Sequence, residues 1–311
     1  MRRRLAEVNA SVRRFPLPSL ARQRLGWFGL ALLLWQGALP AAEWAMQRLQ
    51  VFDGLRLPTD VVVHDGRIAV VDGGHHRIVV FDADGDERLR FGRPGKGPGE
   101  FDAPVGIGVD PAGRLLVADR GNRRIQIYSP EGAFVRQFAV PERPIDVAAS
   151  RDGREFYVTA NRTHRLLVYR PDGRLLREWG RNGADRGEFR YPATVAVLPK
   201  QRLAVVDVFN TRVQIFDADG TFAFQAGRWG VRPGQLFRPK GVAVDARGRL
   251  YVSDSYLNVV QVFDAEGAFL YVLRDPRHAL VTPAGLAVAG DRLYVAEVMA
   301  DRVSVFRVPV P

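Results

Sequence analysis

One unit recurs six times between Leu57 and the C-terminus, and any fold for this chain must honour that period. Each unit holds a proline, an apolar run, a glycine-containing turn and a second apolar run that usually closes on an acidic residue. A third apolar run follows, often opening on an arginine five places beyond the acid. The leading prolines Pro58, Pro104, Pro144, Pro192, Pro239 and Pro283 lie 46, 40, 48, 47 and 44 residues apart. Repeats of this length are supersecondary units that bury their apolar faces only by stacking on neighbours.

The fifth unit shows the local structure. Its runs are Pro239–Asp245, Arg249–Asp254, Val260–Asp264 and Ala268–Leu273, rich in Val, Tyr, Phe and Leu and bounded by Gly or Asp turns. These are strand and hairpin signals, four strands to a unit. The turns Asp84-Gly85, Glu131-Gly132, Asp172-Gly173, Asp219-Gly220 and Glu266-Gly267 recur at one place, where glycine supplies the positive φ of a tight hairpin. Six four-stranded antiparallel units predict an all-β, six-bladed β-propeller. The sixth unit has a third strand at Arg302–Arg307 and no fourth. The orphan apolar segment Met46–Phe52 is expected to supply it and so to close the ring over a bare sheet edge.

Ahead of the repeats the chain changes character. The region 1–24 is basic, with Arg2, Arg3, Arg4, Arg13, Arg14, Arg22 and Arg24 against Glu7 alone, and it accounts for much of the net charge of +11. Residues 25–42 carry no charge and end in small residues and a proline, as in an export signal or a membrane anchor. Arginines before the span keep the N-terminus cytoplasmic. The propeller, residues 43–311, is then expected outside the cytoplasm. It would face the periplasm from a bacterial inner membrane, or be periplasmic or secreted after cleavage near Ala41. The chain has no cysteine, which excludes disulfides and thiolate metal sites.

Several units resemble the NHL-repeat propellers. The match is carried by Gly106–Asp110 with Leu116–Tyr128, by Ala204–Phe216, and by the glycine-rich linker Phe91–Phe101 with its counterparts at 179–189 and 226–237. It covers essentially everything after the leader. The resemblance implies the fold but not an activity, because that family includes RNA-binding, protein-binding, sensor and enzymatic members. Its amidating-lyase members take zinc histidines from separate blades near the channel. Here only His64, of five histidines, falls in an inner strand, so a zinc lyase is not expected.

Register separates recurring scaffold residues from candidates for function. The pairs Asp72/Arg77, Asp119/Arg124, Asp207/Arg212 and Glu297/Arg302 recur four times and read as scaffold, each worth little if exposed. The third unit has Ala160 opposite Arg165, and the fifth has Val259 opposite Asp254. An unpaired Arg165 and an unpaired Asp254 are therefore better functional candidates. The run Gly92–Gly99 lacks the Lys-Ser/Thr ending of a phosphate loop and reads as a blade-to-blade linker. Two places after each repeat proline stand Asp60 and Asp146 in the first and third units and Gly or Thr elsewhere. Two carboxylates at the channel would hold a divalent cation with backbone oxygens and water, or would be solvated acids in a wet tunnel.

Two places past the acidic position, the early units have Gly74, Gly121 and Arg162, and the later ones Phe209, Tyr256 and Met299. Large apolar loop tips on three neighbouring blades would form an exposed patch of the kind that marks a binding site, unless they fold back as local packing. The same side gathers basic residues, among them Arg162, Arg228 and Arg232. The resulting expectation is a non-catalytic, monomeric binding propeller for a protein, an anionic polymer or a glycan, reached through this basic, aromatic-bearing face. Its membrane contact would be the N-terminal segment, and a place outside the cytoplasm makes nucleic acid an unexpected partner. No cofactor is expected, save a divalent cation on Asp60 and Asp146. The alternative is a metal-dependent lyase or lactonase-like enzyme working at the channel mouth.

Overall fold

A computed structural model of the chain describes residues 42–308. The basic region 1–24, and all of the apolar segment 25–42 but its last residue, lie outside the described residues. Six sheets stand in a ring. Blades one to four run inner to outer as consecutive antiparallel strands, for example Pro58–His64, Arg67–Asp72, Arg77–Phe81 and Glu87–Phe91 in blade one. Among the described residues helix appears only as single 3-10 turns.

Period-two alternation places the core between blades. In the strand Arg67–Asp72, Ile68 and Val70 pack towards blade six with Phe52, Tyr294 and Val303. Ala69 and Val71 face blade two with Phe101, Ile107 and Tyr128. The same pattern gives six apolar wedges, one at each blade boundary. Each blade is buried on both faces and relies on two neighbours, as the repeat period requires.

Blade six closes as expected. Strand β1, Ala42–Ala45, precedes β2, Gln47–Phe52. β2 pairs antiparallel with Arg302–Arg307, so a strand from before the first repeat completes the last blade. Phe52 stacks on Phe81 of blade one, ring centroids 4.6 Å apart, and carries the closure across the seam. β1 was not foreseen. It adds in parallel to the outer strand Phe269–Arg274 of blade five, Ala42 opposite Tyr271 and Ala45 opposite Arg274, making that blade five-stranded.

The acid–arginine pairs are scaffold, though not surface pairs. Asp119 is fully buried and accepts from Arg124 Nε (2.7 Å), Asn122 Nδ2 (2.9 Å), Gln126 Nε2 (3.1 Å) and the Asp102 amide (2.8 Å). Asp207 repeats the set with Arg212, Asn210, Gln214 and the Arg190 amide. The guanidinium of Arg124 then donates to the carbonyls of Lys96, Gly97 and Glu100, pinning the glycine-rich linker over the blade. Removing one partner of such a buried pair costs about 3–5 kcal/mol, well above the surface value. The linker's own amides are spent internally, with Gly97 N on Glu100 Oε2 (2.8 Å) and Gly99 N on Gln126 Oε1 (3.0 Å).

Candidate functional site

Inner strands begin at one mouth of the central channel, and that mouth shares a face with the turns between second and third strands and with the blade-to-blade linkers. Proline has no amide to give the ladder, and in every blade the inner-strand register shifts directly after it. In blades one and three this bulge turns Asp60 and Asp146 into the channel.

Both aspartates are buried, so neither is the solvated acid of a wet tunnel. Asp60 accepts from its neighbour's amide, Val61 N, at 2.9 Å and from Ile107 N of blade two at 2.9 Å. Asp146 accepts from Val147 N at 2.8 Å and from Val195 N of blade four at 2.9 Å. Each carboxyl thus stitches two blades together. Glycine on the preceding blade makes room: a Cβ on Gly285 would stand 2.1 Å from Asp60 Oδ1, and one on Gly106 would stand 2.6 Å from Asp146 Oδ1.

The two carboxyls are also close enough to act on each other. Burial raises Asp60 well above the usual carboxylate range, and the adjacent Asp146 adds to the effect. Burial likewise pushes Asp146 up, to about 6, against the pull of its two amide donors. The pair is a floor across the channel in which burial favours the protonated form of both acids. A divalent cation demands several free oxygens, whereas all four oxygens here already accept backbone amides. Among the described residues no three His, Asp or Glu side chains converge on a point.

Above this floor lies a cavity of about 410 Å³ bordered by Thr59, Asn161, Tyr191, Phe209, Lys240 and Ser255. Below it the channel is lined by valines and alanines of the inner strands.

Around the rim, the turn residue ahead of each third strand is left-handed in all six units: His76, Arg123, His164, Thr211, Asn258 and Asp301. Four of them take the amide of the residue before the next repeat proline. His76 Nδ1 accepts from Ala103 N (3.1 Å), His164 Nδ1 from Tyr191 N (3.1 Å), Asn258 Oδ1 from Thr282 N (3.0 Å) and Asp301 Oδ1 from Leu57 N (2.7 Å). His76 and His164 are therefore linker caps. Leu57, Ala103, Tyr191 and Thr282 are themselves left-handed, and the caps hold them so.

Phe209, Tyr256 and Met299 stand on this face and are exposed, as their register suggests. Phe209 meets Tyr191 edge-on at 5.1 Å, Tyr191 meets His164 at 5.0 Å, and Tyr256 leans on Phe237 at 4.2 Å. These contacts orient the rings without covering them. Sequence reasoning missed Tyr191 and Trp229. Among the described residues five large apolar side chains are more than half exposed: Phe209, Trp229, Val231, Tyr256 and Met299, at 58% to 73%. All five lie on the turns and linker of blades four to six. Glycine in the early blades has a local cause, since a Cβ at Gly74 would stand 2.8 Å from the Arg56 carbonyl and one at Gly121 would stand 2.3 Å from the Asp102 carboxylate.

Arg228 and Arg232 are exposed on either side of Trp229 and form no ion pair among the described residues, and Arg162 is exposed at its turn tip. Two expectations are corrected. Arg165 is not unpaired: it forms an ion pair with Glu178 of the outer strand, which lies diagonally across from it, opposite Leu167. Asp254 is not unpaired either. Fully buried, it accepts the amides of Phe237, Arg238, Tyr256 and Leu257 at 2.6–3.0 Å, so backbone donors replace the missing arginine.

Comparison with known proteins gives a consistent fold. A family model described as 6-bladed beta-propeller matches residues 55–170 and 182–294. Protein brain tumor of Drosophila melanogaster is 33% identical over 135 residues, covering 41% of this chain and 12% of that protein. NHL repeat-containing protein 3 of Homo sapiens is 34% identical over 120 residues, covering 36% and 34%. The matched segment thus spans from about an eighth to a third of these curated relatives. A gluconolactonase from Xanthomonas campestris superposes with a TM-score of 0.65 at 19% identity, over 87% of this chain and 97% of that one, and at that identity the likeness is one of fold alone.

Proposed function

This chain belongs to the 6-bladed beta-propeller family, and from that premise we propose that it is a non-catalytic binding module. It takes a protein or an anionic polymer such as a glycan on the loop face of blades four to six, outside the cytoplasm. The observation that carries this reading is the gathering of every more-than-half-exposed large apolar side chain of the described residues on that one face. Contiguous exposed apolar surface within a charged rim is the usual mark of an interaction site. Phe209, Trp229, Tyr256 and Met299 act as anchors, while Arg162, Arg228 and Arg232 steer an acidic partner.

The lyase or lactonase reading draws no comparable support. Its residues Asp60 and Asp146 spend their oxygens on backbone amides that hold neighbouring blades together.

Capture of a partner from cell extract tests the proposal. Phe209→Ala with Trp229→Ala is expected to weaken capture by ~2 kcal/mol or more per anchor, with an unchanged melting temperature because these side chains bury little. Arg228→Gln with Arg232→Gln lowers the association rate and its salt sensitivity instead. An aromatic variant that melts early yet captures its partner undiminished would show that these side chains are packing.

A further inference from the structure

The channel mouth carries polar groups that neither the scaffold nor the rim uses. Most side chains bordering the cavity are engaged within the protein. Thr59 Oγ1 donates to the Val105 carbonyl, Thr194 Oγ1 to the Lys240 carbonyl and Ser255 Oγ to the Arg238 carbonyl. Two are not. The Asn161 amide and the Lys240 ammonium line the cavity half-buried and make no hydrogen bond or ion pair among the described residues.

The fold does not require a cation at position 240. The first residue after the repeat proline is Thr59, Val105, Ile145, Ala193 and Ala284 in the other blades. We infer that the channel mouth binds a small organic carboxylate, its anionic group held by Lys240 and Asn161 and its apolar body lying against Tyr191 and Phe209.

A partly dehydrated ammonium without a counter-ion gains most from an anion placed beside it. Burial and the neighbouring Arg238 both hold Lys240 below the usual lysine range, and neither Asp60 nor Asp146 acts on it. The floor therefore leaves the ammonium un-neutralised. The edge-to-face rings of Tyr191 and Phe209 form one wall, suited to a flat apolar group. The cavity is of the size usual for small-molecule sites. This site stands apart from macromolecular binding by the rim and shares only Phe209 with it.

Phenylacetate is a suitable probe, titrated into the full-length protein and followed by ligand-observed NMR. Saturable binding is expected. Lys240→Ala and Asn161→Ala should each weaken it about ten-fold or more. Lys240→Ala should melt like the parent protein, because Ala193 and Ala284 fill that place in other blades. The uncharged phenylacetamide should bind correspondingly less well than phenylacetate. Trp229→Ala should leave phenylacetate binding unchanged, so that failure of the rim proposal and failure of this one are read separately. Absence of saturable phenylacetate binding up to roughly 20 mM, or binding indifferent to Lys240→Ala, overturns the inference.

Discussion

Asp60 and Asp146 are an unusual use of acidic side chains, because each joins adjacent blades through backbone amides while burial favours its protonated form. Both oxygens of Asp60 accept, from Val61 N and Ile107 N, whereas asparagine would have one acceptor for two amides. The pairing makes stability depend on pH. In the unfolded chain both groups release their protons near pH 4, while the folded form keeps one well above that. The native state therefore binds more protons, and stability falls as pH rises, at about 1.4 kcal/mol per pH unit while the difference lasts. Melting temperatures at pH 5 and pH 8 should show this loss in the parent protein and a smaller one in Asp60→Asn. Equal losses in both would mean that the two carboxyls titrate independently of folding.

Closure is a property of the strand β2. Deleting Met46–Phe52 strips the outer strand from blade six, bares the edge of Arg302–Arg307 and removes Phe52 from the seam with blade one. The ring should then melt far earlier, and Phe52→Ala alone should cost about 3–5 kcal/mol. Unchanged thermal unfolding of the deletion would break the closure model. Much at this scale could be read in advance, since proline, turn glycine and alternation repeat six times and each copy corrects the others. β1 could not, because Ala42–Ala45 has neither alternation nor a repeat partner, and it joins blade five through backbone pairing. The site divides in the same way. Phe209, Tyr256 and Met299 were legible because they break a register held elsewhere by glycine. Trp229 sits in a linker whose glycines read as a spacer. Asp254 looked unpaired because its partners are main-chain amides, which side-chain patterns do not display.

At the scale of the molecule the two faces differ. One presents turns, linkers, exposed rings and arginines, and the other the short hairpins that begin at residues such as Asp84-Gly85 and Asp219-Gly220. A module of this kind needs only one face free, and on the proposed reading the chain is held at a membrane by its N-terminal segment. A reporter active only in the periplasm, fused after Pro311, should be active, and membrane fractionation should then separate an anchored chain from a cleaved one. Activity of a cytoplasmic reporter instead would remove the export reading and restore nucleic acid as a partner of the basic face. The N-terminal side also reaches the ring in two stages, first as β1 on blade five and then as β2 in blade six. Any pull entering from that side would load the four residue pairs of β1 before it reached the closing strand. If the proposed membrane tether exists, the fifth blade's extra strand would then take strain ahead of the strand that shuts the ring, in the manner of a mechanical fuse.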